Sequence, residues 1–413
     1  MTEHKLPFLF YSDPDGVLAM PGEDFALRAV VSLAQDYGCE GNVWQSYLAY
    51  QLMVQENPFS LACERCDIAD EVTVKALAQR DLEIFHELFS RSMDPASPSS
   101  LLLDYHASQR AKRAGSHNVA RLLREFRDRL AVAVSLAEFV AEVTRFYQRY
   151  GVGAFGVNRA FRLGPGSTAA AAEFLPISNI DPVRLGDLVG YESQKRELTA
   201  NTEAFLAGRP ANNVLLYGDA GTGKSSSVKA LINEYYDSGL RMIEVHKHQF
   251  QALAAVIAQI KNRAYRFIVF IDDLSFEESE LEYKFLKSAI EGGLETRPSN
   301  VLIYATSNRR HLVKETWRDR ADMEREGDLH HSDTMEEKLS LSERFGVTIR
   351  YGNPTPQEYR QIIESLAARQ GLRLTEAQLN QEAGAWEIRH GGISGRTAQQ
   401  YVDHLAGQAD NGN

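Results

Sequence analysis

Asn213-Val214-Leu215-Leu216-Tyr217-Gly218-Asp219-Ala220-Gly221-Thr222-Gly223-Lys224-Ser225-Ser226 joins a short apolar run to the start of a helical one. Its second half fits G-x-x-x-x-G-K-[ST]. The glycines permit the φ angles that turn backbone N–H groups inward around a phosphate. The helix opening near Ser225 directs its positive end at the same anion. Lys224 supplies a point charge, and the Ser225 hydroxyl is placed to ligate Mg²⁺. An apolar run before the glycines and a helical pattern after them distinguish this loop from an ordinary glycine turn. The candidate phosphate-binding set is Gly218, Ala220, Gly221, Thr222, Gly223, Lys224, Ser225 and Ser226.

Working outward, residues 213–217, 241–246, 266–271, 300–306 and 347–351 are apolar, β-rich runs separated by helical patterns. Such alternation predicts an α/β fold with a parallel sheet covered by helices on both faces. From residue 356 the pattern is helical again, over 357–369, 375–388 and 394–405, and is expected to form a small lid.

Polar residues recur where these runs end. The third run leads into Asp272-Asp273. Acids at the C-terminal edge of a strand beside a phosphate loop can hold Mg²⁺ (Asp272) and orient the attacking water (Asp273). Asn308 ends the fourth run, within reach of both the acids and a terminal phosphate. Arg344 precedes the fifth run and Arg396 opens a lid helix. A guanidinium is planar, always charged and bidentate, which suits phosphate.

Together these residues resemble the AAA+ superfamily of P-loop ATPases, over about residues 181–405. Leu188-Val189-Gly190-Tyr191 looks like the segment lining the adenine pocket, so Gly190 and Tyr191 join the nucleotide-binding candidates. Lys224 and Ser225 match Walker A, Asp272-Asp273 Walker B, Asn308 sensor 1, Arg344 the arginine finger and Arg396 sensor 2. More narrowly, 305–313 and 339–346 are similar to an uncharacterised bacterial family of AAA+-like proteins. The resemblance implies a five-stranded parallel sheet with a helical lid, ATP and Mg²⁺ as ligands, and a homo-oligomeric ring or filament. In that assembly Arg344 reaches a neighbour's ATP and Arg396 contacts the nucleotide of its own subunit. Many relatives carry Glu where Asp273 stands. The Asp-Asp pair is similar to that of replication initiators and helicase-loader-like proteins, which act as slow switches.

The first part of the chain, to about residue 162, reads as helical: 25–37, 43–54 (stopped near Pro58), 72–93, 119–132 and 136–150. Leu77, Leu82, Phe85, Leu88 and Phe89 are expected on the buried side of the third of these. Gly164-Pro165-Gly166-Ser167-Thr168 and the alanines after it read as a linker, or as a short Ala helix. The expected domains are 1–175, 176–353 and 354–413. A formal net charge of −11 argues against a global pull toward nucleic acid or anionic membrane. Three cysteines, no signal-peptide core and no apolar stretch of bilayer length point to a cytoplasmic protein. Cys63-Glu64-Arg65-Cys66 lacks a second ligand pair for zinc and reads as helical packing. The basic run of Arg110, Lys112, Arg113, Arg121, Arg124, Arg127 and Arg129 reads as a solvated helix face. The charged insertion 317–340, with Asp328, His330, His331 and Asp333, reads as a solvated loop.

The function expected from the sequence is binding and hydrolysis of Mg·ATP, driving or switching the remodelling of a macromolecular partner. The alternative is an ATP-dependent binding module or scaffold with little turnover.

Overall fold

Helical spacing of apolar residues in the first part of the chain becomes a set of packed helices. The computed structural model describes residues 8–13, 16–18, 24–65, 72–93, 97–106, 116–276, 282–291, 297–308 and 341–409. They fall into two compact units, Met1–Phe161 with Pro176–Ile180, and Arg162–Leu175 with Asp181–Asn413.

The first unit holds α1 (Asp24–Tyr37), α2 (Val43–Val54), α3 (Pro58–Arg65), α4 (Val72–Phe89), α5 (His117–Ala131), α6 (Leu136–Tyr150) and the short α7 (Gly153–Val157). Trp44, Leu48, Phe59, Phe85, Phe126, Phe139 and Tyr147 are buried at its centre. Two expectations need correcting. Pro58 does not merely stop a helix; it is the first residue of α3, where a missing N–H costs nothing. In α4 the buried face is Ala78, Leu82, Phe85 and Phe89, with Leu88 beside it, while Leu77 is 45% exposed. The small Ala78 takes the inward position next to Leu77 because it keeps the helical spacing of the other three. Asp81, also on α4 and fully buried, accepts the backbone N–H groups of Leu9 (2.8 Å), Phe10 (2.7 Å) and Tyr11 (3.1 Å).

Cys63 packs inside α3, and burial pushes its thiol up to about 12, as suits an inert core residue. Arg121 is ion-paired with Glu125, Arg127 with Asp128 and Arg129 with Glu142. Cys66, Arg110, Lys112, Arg113 and the insertion 317–340 lie outside the described residues.

The second unit is built on β3 (Val214–Gly218), β4 (Leu240–Glu244), β5 (Arg266–Ile271), β6 (Val301–Ser307) and β7 (Val347–Tyr351). These run side by side as β4-β5-β6-β3-β7, each neighbouring pair parallel. The glycine-rich loop therefore leaves β3, the strand next to the edge strand β7, and β6 lies between it and the strand bearing the acids. Every residue of β6 is buried, as is β5 after its first residue, which explains their uninterrupted apolar text. Helices α8 (Glu192–Leu206), α9 (Lys224–Tyr235), α10 (Leu253–Ile260) and α11 (Glu282–Glu291) connect the strands.

The sheet has seven strands, two beyond the five expected, because β1 (Ala160–Leu163) and β2 (Phe174–Pro176) continue it past β4. The stretch read as a linker is the connection between those two. Its glycines accommodate the Glu173 side chain, whose Oε2 accepts the Gly166 N–H at 3.0 Å. The lid comprises α12 (Pro356–Arg369), α13 (Ala383–Arg389, entered through a π-turn at Gln378–Glu382) and α14 (Gly395–Ala409). Tyr359, Ile363, Ala398, Tyr401 and Val402 form its own small core. Among the described residues no helix is long and apolar enough to cross a membrane.

Candidate nucleotide site

At the end of β3 the chain has to turn sharply, and Gly218 is what allows it. Its φ is 135°, and a Cβ there would lie 1.9 Å from the Tyr351 carbonyl oxygen. Gly221 and Gly223 also have positive φ, 75° and 90°. The loop ends at α9, whose first residue is Lys224. The Lys224 side chain is 5% exposed. Its Nζ donates to the carbonyls of Gly218 (3.0 Å) and Asp219 (2.6 Å) and to Asn308 Oδ1 (3.1 Å). Burial pulls the ammonium below its usual range, and the nearby Asp219, Asp273 and Asp272 work against that shift.

The acids complete the floor. The Ser225 hydroxyl donates to Asp272 Oδ1 at 2.5 Å, and Thr306 Oγ1 donates to the same oxygen at 2.6 Å. Asp273 has a left-handed backbone, φ 52°, a conformation costing about 1 kcal/mol outside glycine. Three contacts hold it there. Its N–H donates to Thr306 Oγ1 (3.0 Å), the next N–H, of Leu274, donates to the Thr306 carbonyl (2.7 Å), and Asn308 Nδ2 donates to Asp273 Oδ1 (2.7 Å). Asn308 thus bridges Lys224 and Asp273. Thr306, to which the sequence reading assigned no role, is the hub of both acids. One signal could have found it: it stands two residues before Asn308, so both side chains leave the strand on one face.

Above this floor is a cavity of about 770 Å³, within the range of small-molecule sites. Its polar end is lined by Gly221, Thr222, Gly223, Lys224, Ser225, Ser226, Asp272, Asp273, Thr306 and Asn308. Its apolar end is lined by Val183, Leu188, Val189, Tyr191 and, from the lid, Ile362 and Leu366. Tyr191 has φ 59°, stacks on Tyr351 with ring centres 5.0 Å apart, and donates its hydroxyl to the Gly352 carbonyl at 2.8 Å. Arg396 lines the cavity from α14, and its N–H donates to the Gly221 carbonyl at 3.3 Å. Arg369 of α12 donates to the Asp187 carbonyl at 2.7 Å and pairs with its carboxylate at 3.0 Å.

Three expected ligand residues do not line this cavity. Gly190 (φ 77°) and Gly218 shape the backbone on either side of it, and Ala220 lies with Asp219 in a separate cavity of about 380 Å³ beside the lid. Arg344 is also outside it. Its Nε meets Glu291 Oε1 at 2.5 Å, on the turn Ser342–Arg344 that precedes β7.

The residues suit a magnesium-bound triphosphate. The glycine backbone leaves a cradle that side chains would fill, and a hydroxyl and a carboxylate already meet where a hard cation takes oxygen ligands.

A family model described as "Protein of unknown function (DUF815)" matches residues 158–409. The chain belongs to this family. The matched span contains these cavity-lining residues, from Val183 to Arg396. A 71-residue stretch is 38% identical to the replication factor C large subunit of Staphylothermus marinus, covering 17% of this chain and 16% of that protein. Among solved structures, the RuvB Holliday junction branch migration motor of Thermotoga maritima matches at 19% identity and TM-score 0.37, over 54% of this chain and 64% of that one. The FIGL-1 AAA domain in complex with ADP matches at 17% identity and TM-score 0.39, over 55% and 74%. The chain therefore spans under two thirds of the first two.

Proposed function

We propose that the DUF815 module binds Mg·ATP and hydrolyses it to ADP and phosphate, switching or driving the remodelling of a macromolecular partner. The observation that carries this is the hydrogen-bonded floor, in which Lys224–Asn308–Asp273 and Ser225–Asp272–Thr306 meet beneath one cavity. On this reading the loop N–H groups and Lys224 hold the phosphates. Arg396 neutralises phosphate charge from the lid, while Val189, Gly190 and Tyr191 frame the base. Ser225 and Asp272 hold Mg²⁺, which when bound neutralises phosphate charge. Asp273, oriented by Asn308, positions the attacking water. Arg344 acts on the ATP of a second copy in a ring or filament, in keeping with its place outside its own cavity.

The test is phosphate release as a function of protein concentration, with Arg344→Ala alongside. Activity per chain should rise with concentration and collapse in the variant. Lys224→Ala releasing phosphate at the wild-type rate would overturn the reading.

One observation favours the slower alternative, an ATP-dependent binding module. The short Asp273 side chain is already engaged by Asn308 at 2.7 Å, which restricts it as a proton acceptor. ATP bound tightly without release, at every concentration, would support that module.

A further inference from the structure

The side-chain pair of Arg344 and Glu291 lies away from the nucleotide cavity of its own chain, and the proposed reaction has so far used only one of the two. Both stand on anchored backbone. Glu291 closes α11, which Tyr283, Leu286 and Ile290 fasten to the core. Arg344 closes a single turn between the buried Leu341 and Phe345. Far apart in sequence, the two elements are joined at the side-chain level through Nε and Oε1.

We infer that Glu291 is the positioning residue for Arg344, fixing the guanidinium for a phosphate presented by a second copy of this chain. The inference rests on the trans role of Arg344. An arginine side chain loses much rotamer freedom when it binds, and a partner that restricts it beforehand removes part of that loss. Glu291 contacts Nε, one of the guanidinium's five N–H donors. The pair is 22% and 43% exposed, so solvent weakens its attraction. Weakened in this way, the contact with Glu291 is not by itself a latch. It can bias which rotamer the arginine occupies, and that is the difference between a positioner and a latch.

The test uses the full chain and measures kcat, KM and fluorescent-ATP affinity at a protein concentration where activity per chain has levelled off. Glu291→Gln should lower kcat about tenfold with KM and nucleotide affinity unchanged within about twofold, because the chain's own pocket is untouched. Glu291→Asp should restore part of the loss. In an Arg344→Ala background, Glu291→Gln should do nothing more. If Arg344→Ala collapses activity while Glu291→Gln turns over at or above the wild-type rate, the positioning role is overturned and the trans arginine stands. Wild-type activity in Arg344→Ala itself sinks the trans arginine and this inference with it.

Discussion

Thr306 ties both acids of the site to one strand end. Replacing it by Val keeps the shape and removes one hydroxyl, leaving the Asp273 N–H without its acceptor and Asp272 with one donor fewer. Thr306→Val should slow phosphate release at least tenfold and lower unfolding free energy by about 1–3 kcal/mol, with Thr306→Ser restoring both, as read by steady-state assay and denaturant titration. Asp273→Asn tests the water-positioning role, since Asn tolerates the left-handed backbone. Turnover should fall about 100-fold while ATP affinity holds, checked by equilibrium binding beside single-turnover kinetics. Lys224 gives a pH signature. Its folded value is depressed by burial, so the charged ammonium costs the empty protein stability, and that cost fades as pH rises through the depressed value toward the ordinary 10.5. A bound phosphate favours the charged form, so nucleotide binding at alkaline pH should take up protons. Calorimetry in two buffers of different ionisation enthalpy would measure that uptake. At this scale the glycine loop was legible from its fixed spacing, and the acids and Asn308 from their place at the ends of apolar runs. Thr306 was not, because a Thr closing a strand looks like any β-branched residue until its partners are seen.

At the scale of elements, the parallel strands were readable because a strand buried on both faces leaves no polar interruptions, and β5 and β6 have none. The limits of β5 and β7 are those expected, while those of β3, β4 and β6 moved by a residue or two, as happens where no capping residue marks an end. The β1–β2 pair was not readable. Four and three residues separated by Gly and Ala carry too little alternation to distinguish a strand from a link. The helix α3 was masked by Pro58, whose position at a helix start and beyond a helix end look alike in sequence. The segment before α1 shows another hidden dependency, because Asp81 accepts three successive backbone N–H groups from it. Asp81→Leu should cost about 1–3 kcal/mol for the donors it strands, and hydrogen exchange at Leu9, Phe10 and Tyr11 should accelerate while that of β5 and β6 does not.

For the whole molecule, the DUF815 module supplies the floor proposed to hold phosphate, while Arg344, among the described residues before β7, does not line its own cavity. An assembly that completes the site should show a mass that depends on concentration and on nucleotide. Light scattering with Mg·ATP, Mg·ADP and no nucleotide is the direct check, and ATP is expected to give the largest particle. Sequence could name Arg344 through resemblance alone, since a lone arginine before a strand carries no periodicity or spacing that marks it. Its absence from the cavity is a fact only the folded chain could supply.

The contact between Gly218 and the Tyr351 carbonyl has a genetic consequence. A mutation at codon 218 puts a side chain where a main-chain oxygen already stands. Second-site revertants usually arise by trimming an offending side chain, but every residue at 351 carries the same carbonyl. A selection for suppressors of Gly218→Ala should therefore return true revertants to glycine and leave the rest of the gene unchanged.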